Sequence, residues 1–133
     1  MKGELSMGII DGLMGNASET DIEDIKEKYQ KLLAPGETIE QAYSLIRDKI
    51  LLTNIRMILI NKQGVTGKKT EYHSIPYGKI THFSIETAGN LDMDAELRIW
   101  VAGMGNTAIE KTFGKDQDVF KVQSVLAKHV AGE

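Results

Sequence analysis

Between Ile39 and Phe113 the apolar residues fall at every second position, in short runs separated by Gly, Pro, Asn and Asp. That period marks antiparallel strands with one side toward a core. Seven strands are predicted, near residues 39–46, 49–53, 55–61, 69–77, 79–87, 94–102 and 107–113. Every connection is hairpin-sized, so the expected topology is a meander. On either side the period changes to that of a helix. The segment ETDIEDIKEKYQKLL sets Ile22, Ile25, Tyr29, Leu32 and Leu33 on one stripe, with Thr20 and Glu23 as a capping box and Pro35-Gly36 as the stop. The segment DVFKVQSVLAKHV places Val119, Val122, Leu126 and Val130 on one face. The fold class is therefore mainly β with flanking helices: a seven-stranded, bent antiparallel sheet or barrel, closed at one end by the C-terminal helix.

Two strands carry more than a simple alternation. In AELRIWVA, Ala95, Leu97, Ile99 and Val101 share the inner face, which puts Trp100 on the outer face beside Glu96 and Arg98. In IRMILIN, Ile55, Met57 and Leu59 lie on one side while Ile58 and Ile60 lie on the other, so both faces are apolar. The second face needs a cover, either the N-terminal helix or another subunit. Trp100, Ile58, Ile60 and Arg98 are accordingly the candidate residues of an oligomer interface.

The chain has 133 residues, 41% of them hydrophobic and 26% charged, which suits one globular domain. Residues 1–18 read as an N-terminal arm and residues 19–133 as a single domain. The arm's Met, Ile and Leu content fits either docking on a surface or a frayed end. Its glycines and Asp11 interrupt the apolar run, so neither a signal peptide nor a spanning helix is expected, and a cytoplasmic location follows. The formal charge of −3 argues against nucleic acid as a partner and against general binding to anionic membranes. With no cysteine, thiolate chemistry is excluded.

Motifs that resemble chemistry fail in context. Gly103-Met104-Gly105-Asn106-Thr107-Ala108 has dinucleotide-fingerprint spacing but precedes a strand instead of a helix, so it reads as a hairpin turn. Asn90, Asp92, Asp94 and Glu96 lack the glycine and the final glutamate of a calcium loop. His73, His82 and His129 have no zinc-motif spacing, and Ser74 and Ser84 no nucleophile elbow. No catalytic residue, metal or cofactor is expected. Lys68 and Lys69 at a hairpin tip, with Arg47 and Lys49 at another strand end, form a weak candidate rim for an anionic ligand.

The runs LLTNIRMILINKQGVTGKK, YHSIPYGKITHFSIETAG and LDMDAELRIWVAG resemble the bacterial pleckstrin-homology (PH) domain family, formerly a family of unknown function. The resemblance implies a PH-like barrel and, for its members, ring-shaped homo-oligomers, notably pentamers. A self-assembling, non-enzymatic module that presents repeated surfaces to a protein or peptide partner is the expected function; peripheral binding to anionic lipid head groups is the alternative. The basic pattern of phosphoinositide-binding PH domains does not carry over, because Arg47-Asp48-Lys49-Ile50-Leu51 has no basic residue two after Lys49. Ser74-Ile75-Pro76-Tyr77 is expected to be a structural corner, with Ile75 and Tyr77 facing the core and Phe83 and Ile85 continuing that face.

Overall fold

A computed structural model describes residues 19–45, 48–64, 67–87, 94–114 and 117–132, with side chains from residue 24 onward. Helix α1 spans Glu19–Tyr29, starting one residue ahead of the expected Thr20 cap, and tightens into a 3₁₀ turn at Gln30–Leu32. Seven strands follow: β1 Ile39–Ser44, β2 Lys49–Thr53, β3 Arg56–Gln63, β4 Lys69–Pro76, β5 Ile80–Thr87, β6 Ala95–Val101 and β7 Ile109–Phe113. Helix α2 runs Val119–Leu126 and continues as a wider π turn over Ala127–Ala131. The first four strands form one antiparallel sheet and the last three a second, each in sequence order.

The two sheets enclose the main core. Met57 and Leu59 from β3, Leu97 and Ile99 from β6, and Phe113 from β7 pack there with Val122 and Leu126 of α2. Asp118 caps α2 by accepting the amide of Phe120 at 3.1 Å. Lys111 on β7 ties the second sheet to the first, donating to Asn61 at 2.7 Å and Asp48 at 3.1 Å. In the β6–β7 connection Gly103 and Gly105 adopt φ of +90° and +66°, as a glycine hairpin turn requires.

The outer side of the first sheet holds a second, smaller core of Ile25, Tyr29, Ile39, Ala42, Leu51, Ile58 and Ile60. Of the two covers the alternation allows for this face, the structure supplies α1. Ile55 departs from the expected alternation and is half exposed. The Thr53 hydroxyl accepts the amides of Ile55 at 3.1 Å and Arg56 at 3.0 Å, turning the backbone before β3 begins.

Ser74-Ile75-Pro76-Tyr77 is the corner where the chain leaves one sheet for the other, through a 3₁₀ turn at Tyr77–Lys79. Ile75 and Tyr77 are buried, and Phe83 and Ile85 pack against the same core. The Tyr77 hydroxyl donates to the Thr53 carbonyl at 2.7 Å, and its ring stacks on His129 with centroids 4.5 Å apart. His129 in turn meets Glu40 at 3.0 Å, so the corner, β1 and the end of α2 lock together. Replacing Tyr77 by Phe is expected to cost about 1–2 kcal/mol, because the Thr53 carbonyl loses a buried donor. Urea unfolding monitored by far-UV circular dichroism would show a lower midpoint with an unchanged slope; an unmoved midpoint would mean the bond carries no net stability.

Candidate functional site

The outer face of the second sheet carries the most distinctive exposed grouping. Register sets His82 opposite Trp100, Ser84 opposite Arg98, and Arg98 opposite Glu110. Because side chains on opposed residues share a face, these groups form a contiguous patch. His82 and Trp100 stack with centroids 4.3 Å apart and an interplanar angle of 14°. Thr81 braces the pair, its hydroxyl lying 3.1 Å from both the His82 ring nitrogen Nδ1 and the Trp100 carbonyl oxygen. Trp100 thus stands on the outward face that the alternation predicts, half-buried and held in place.

Arg98 sits at the centre of a carboxylate cluster. Its guanidinium donates to Glu96 at 2.5 Å, to Glu86 at 2.8 Å and to Glu110 at 2.9 Å. Its hydrogen bonds to the Glu86 and Glu110 carboxylates and the neighbouring negative charge hold its proton more firmly than usual. All three nitrogens are engaged within the subunit, so Arg98 would meet a partner as part of an acidic cluster, not as a free cation. Asp94 and Glu96 line the shallow depression beside it, while Asn90 and Asp92 lie outside the described residues.

The other interface candidates are placed differently. Ile58 is 1% exposed and Ile60 3%, both roofed by Ile25 and Tyr29 of α1. This corrects the expectation that they face a subunit: their apolar surface is already buried within the protomer, and a subunit contact there would require α1 to lift.

The proposed basic rim also divides. Lys49 pairs with Ile60 and Lys69 with Gln63, three positions apart on β3 and therefore on opposite faces of the sheet. Lys68 is exposed, and Arg47 lies outside the described residues. Lys49 instead shares its side of the sheet with Ile60 and Lys62, next to Lys28 of α1. Burial, then the charges of Lys28 and Lys62, lower the proton affinity of its ammonium group. Lys62 stood in the sequence at the period of Ile58 and Ile60; the part played by Lys28 needed the docking of α1.

A groove of about 450 Å³ lies along α1, lined by Lys26, Gln30, Leu33, Glu37 and Thr38 among others. Of the two acids that line it, Glu27 and Glu37, the buried one is already committed: both oxygens of Glu37 accept from Arg56, at 2.8 and 3.0 Å. Ser74, a serine with no elbow around it, accepts from Arg56 at 2.7 Å. His129 is spent on Glu40 and Tyr77, and His82 on Trp100. Among the described residues no helix is long and apolar enough to cross a membrane.

Two antiparallel sheets in meander order, closed by a C-terminal helix, have a counterpart in sequence space: the family described as "Bacterial PH domain" matches residues 8–130. The chain belongs to that family. Relatives of this PH domain include the uncharacterized protein YjqA of Bacillus subtilis (strain 168), 50% identical over 91% of the chain and 97% of the relative. A second, the uncharacterized protein YozO of the same organism, is 37% identical over 88% and 98%. Among solved structures, the pleckstrin-homology domain from Shewanella amazonensis SB2B aligns with a TM-score of 0.72 at 45% identity, covering 92% of this PH domain and 98% of that chain. A DUF1696 family protein with a pleckstrin-homology domain from Shewanella loihica PV-4 aligns with the same TM-score of 0.72 at 44% identity, covering 81% and 92%. The bacterial PH fold fits a binding module in general.

Proposed function

We propose that this PH domain is a non-enzymatic interaction module that associates with copies of itself into a closed ring and presents repeated surfaces to a protein or peptide partner. The observation that carries the reading is the stacked Trp100–His82 pair standing on an outer sheet face. A braced aromatic on a polar surface loses little entropy on docking and buries a large area, which is the profile of an interface anchor. A ring needs a heterologous contact in which two different patches meet, and the outer face of the second sheet is one such patch. Repetition of a weak site around the ring raises apparent affinity for a multivalent partner without any new contact. Peripheral binding to head groups through the Lys68–Lys69 rim is the weaker reading, because Lys49 stands on the other side of the sheet from Lys69.

Trp100 is the only tryptophan in the chain, so its emission reports this face directly. On dilution from high to low protein concentration the emission is expected to shift to the red as the subunit contact opens. If the emission is independent of concentration while the mass falls, Trp100 is not in the interface.

A further inference from the structure

The groove of about 450 Å³ beside α1 runs between that helix and the start of β1. Leu33 and Ile39 give it an apolar floor: Ile39 belongs to the second core and Leu33 packs against it while staying partly exposed. Lys26 and Gln30 line it from the helix side and Thr38 from the strand side. Lys26 is one residue past the buried Ile25 and Gln30 one past the buried Tyr29, so both stand about 100° round from the stripe that lies on the sheet. They therefore mark the margin of the helix's own cover. A helix about 10 Å wide cannot roof four strands spaced about 4.8 Å apart. The groove is the margin of the first sheet that α1 leaves uncovered.

The chain carries a segment suited to that margin. Residues 1–18 lie outside the described residues and end where α1 begins, at Glu19. From Leu5 to Met14 they read LSMGIIDGLM, in which Leu5, Met7, Ile9, Ile10, Leu13 and Met14 are apolar and Asp11 is the only charge. A run of that composition gains by leaving water. Gly15 and Asn16, between the run and α1, are turn residues that allow the chain to reverse. The helix side of the groove begins at Lys26, about 10 Å along α1 from Glu19, and the stretch from Met14 back to Met7 spans about 10 Å as a helix and about 23 Å extended. The run reaches the groove in either conformation. The family match starts at residue 8, inside the run, so most of it belongs to the unit that the family shares.

We propose that the segment from Leu5 to Met14 folds back along α1 of its own chain and seats its apolar side chains in this groove, against Leu33 and Ile39. It acts as a strap that holds α1 down over Ile58 and Ile60, the apolar surface that a lifted helix would offer to a partner. Release of the strap is then the step that would free that face. The groove is on the first sheet and the Trp100 patch on the second, so the strap does not depend on the assembly reading.

The chain has no cysteine, so Ser6→Cys provides a single attachment point for a nitroxide spin label in the full-length protein. In the ¹⁵N spectrum of the tagged chain the amides of Gln30, Leu33 and Thr38 are expected to lose most of their intensity relative to the same sample with the label reduced. Arg98 and Glu110, on the outer face of the second sheet, should keep theirs. Ile9→Asp/Leu13→Asp in the tagged chain should restore the groove signals; neither residue belongs to the two described cores, so the variant tests docking and not folding. A second sample, in which untagged chains carry ¹⁵N and tagged chains do not, is mixed through denaturant and refolded. Its groove amides should stay at full intensity. Their broadening would assign the groove to a neighbouring copy's arm and overturn the own-chain strap. Losses that fade evenly with distance from Glu19, losses confined to another surface, or none at all would overturn it as well.

Discussion

Replacing Arg56 by Met is expected to destabilise the fold by about 3 kcal/mol, the usual result of removing one partner from a buried ion pair. Glu37 has a side chain with no solvent exposure, and Arg56 is its counter-ion at 2.8 Å. Arg56 also donates to the Leu32 carbonyl at the end of the 3₁₀ turn and to Ser74 on β4, so one guanidinium joins the α1 segment, β3 and β4. Without it the Glu37 carboxylate stays buried with only the Thr53 hydroxyl at 2.6 Å and the Ala34 amide at 2.8 Å as donors. Most of the loss reflects the orphaned charge, so the double variant Arg56→Met/Glu37→Leu should recover part of it. Chemical denaturation of the three proteins checks this; a double variant no more stable than Arg56→Met would show that the bridging role, not the stranded charge, sets the cost.

The same pair makes stability depend on acid. Burial alone would raise the Glu37 pKa, but hydrogen bonds from Arg56, Thr53 and Ala34, with the Arg56 charge, hold it at about 2 against an ordinary 4.5. A depressed folded-state pKa contributes stability that is fully present above the unfolded value and is lost as pH falls through the folded one. The contribution, on the order of 3 kcal/mol, therefore disappears between about pH 4.5 and pH 2. Glu37→Gln should flatten that part of the stability–pH profile, and an unaltered profile would assign the acid sensitivity to other carboxylates.

Trp100→Glu is expected to leave the fold intact and weaken self-association strongly. The side chain is on the outer face, away from the core residues Leu97 and Ile99, so stability should change by less than about 1 kcal/mol. At the subunit contact the same change removes an aromatic anchor and adds a fourth carboxylate to Glu86, Glu96 and Glu110. Loss of an interface anchor costs about 2 kcal/mol or more per contact, roughly a thirtyfold change in each association constant. Lys79→Glu, a charge change of the same sign or greater at the corner, should have far less effect. A Trp100→Glu protein with wild-type mass at every concentration would remove this residue from the interface.

Much of this architecture was legible because its signals are local. The period of two, broken by turn residues, located all seven strands to within a few residues, and the doubly apolar β3 showed that the first sheet needs a cover on its outer side. Alternation cannot say what provides that cover, and so Ile58 and Ile60 read equally well as a subunit face until α1 was seen to lie on them. Ile55 was misplaced by the same rule, since the Thr53 hydroxyl bends the chain just before the strand. Glu37 and Arg56 are nineteen positions apart and His129 and Glu40 eighty-nine, contacts that only the tertiary fold creates. Trp100 was readable because one strand's alternation suffices to put it outside.

The measurement that bears most directly on the assembly reading is absolute molar mass by light scattering on gel-filtered protein over a dilution series, with Trp100→Glu run alongside. The account predicts a discrete species several times the 14.7 kDa chain mass that persists until the most dilute samples of the series, where the contact opens, and smaller species in the variant at concentrations that keep the wild type assembled. A wild-type protein that remains at 14.7 kDa at every concentration would contradict it.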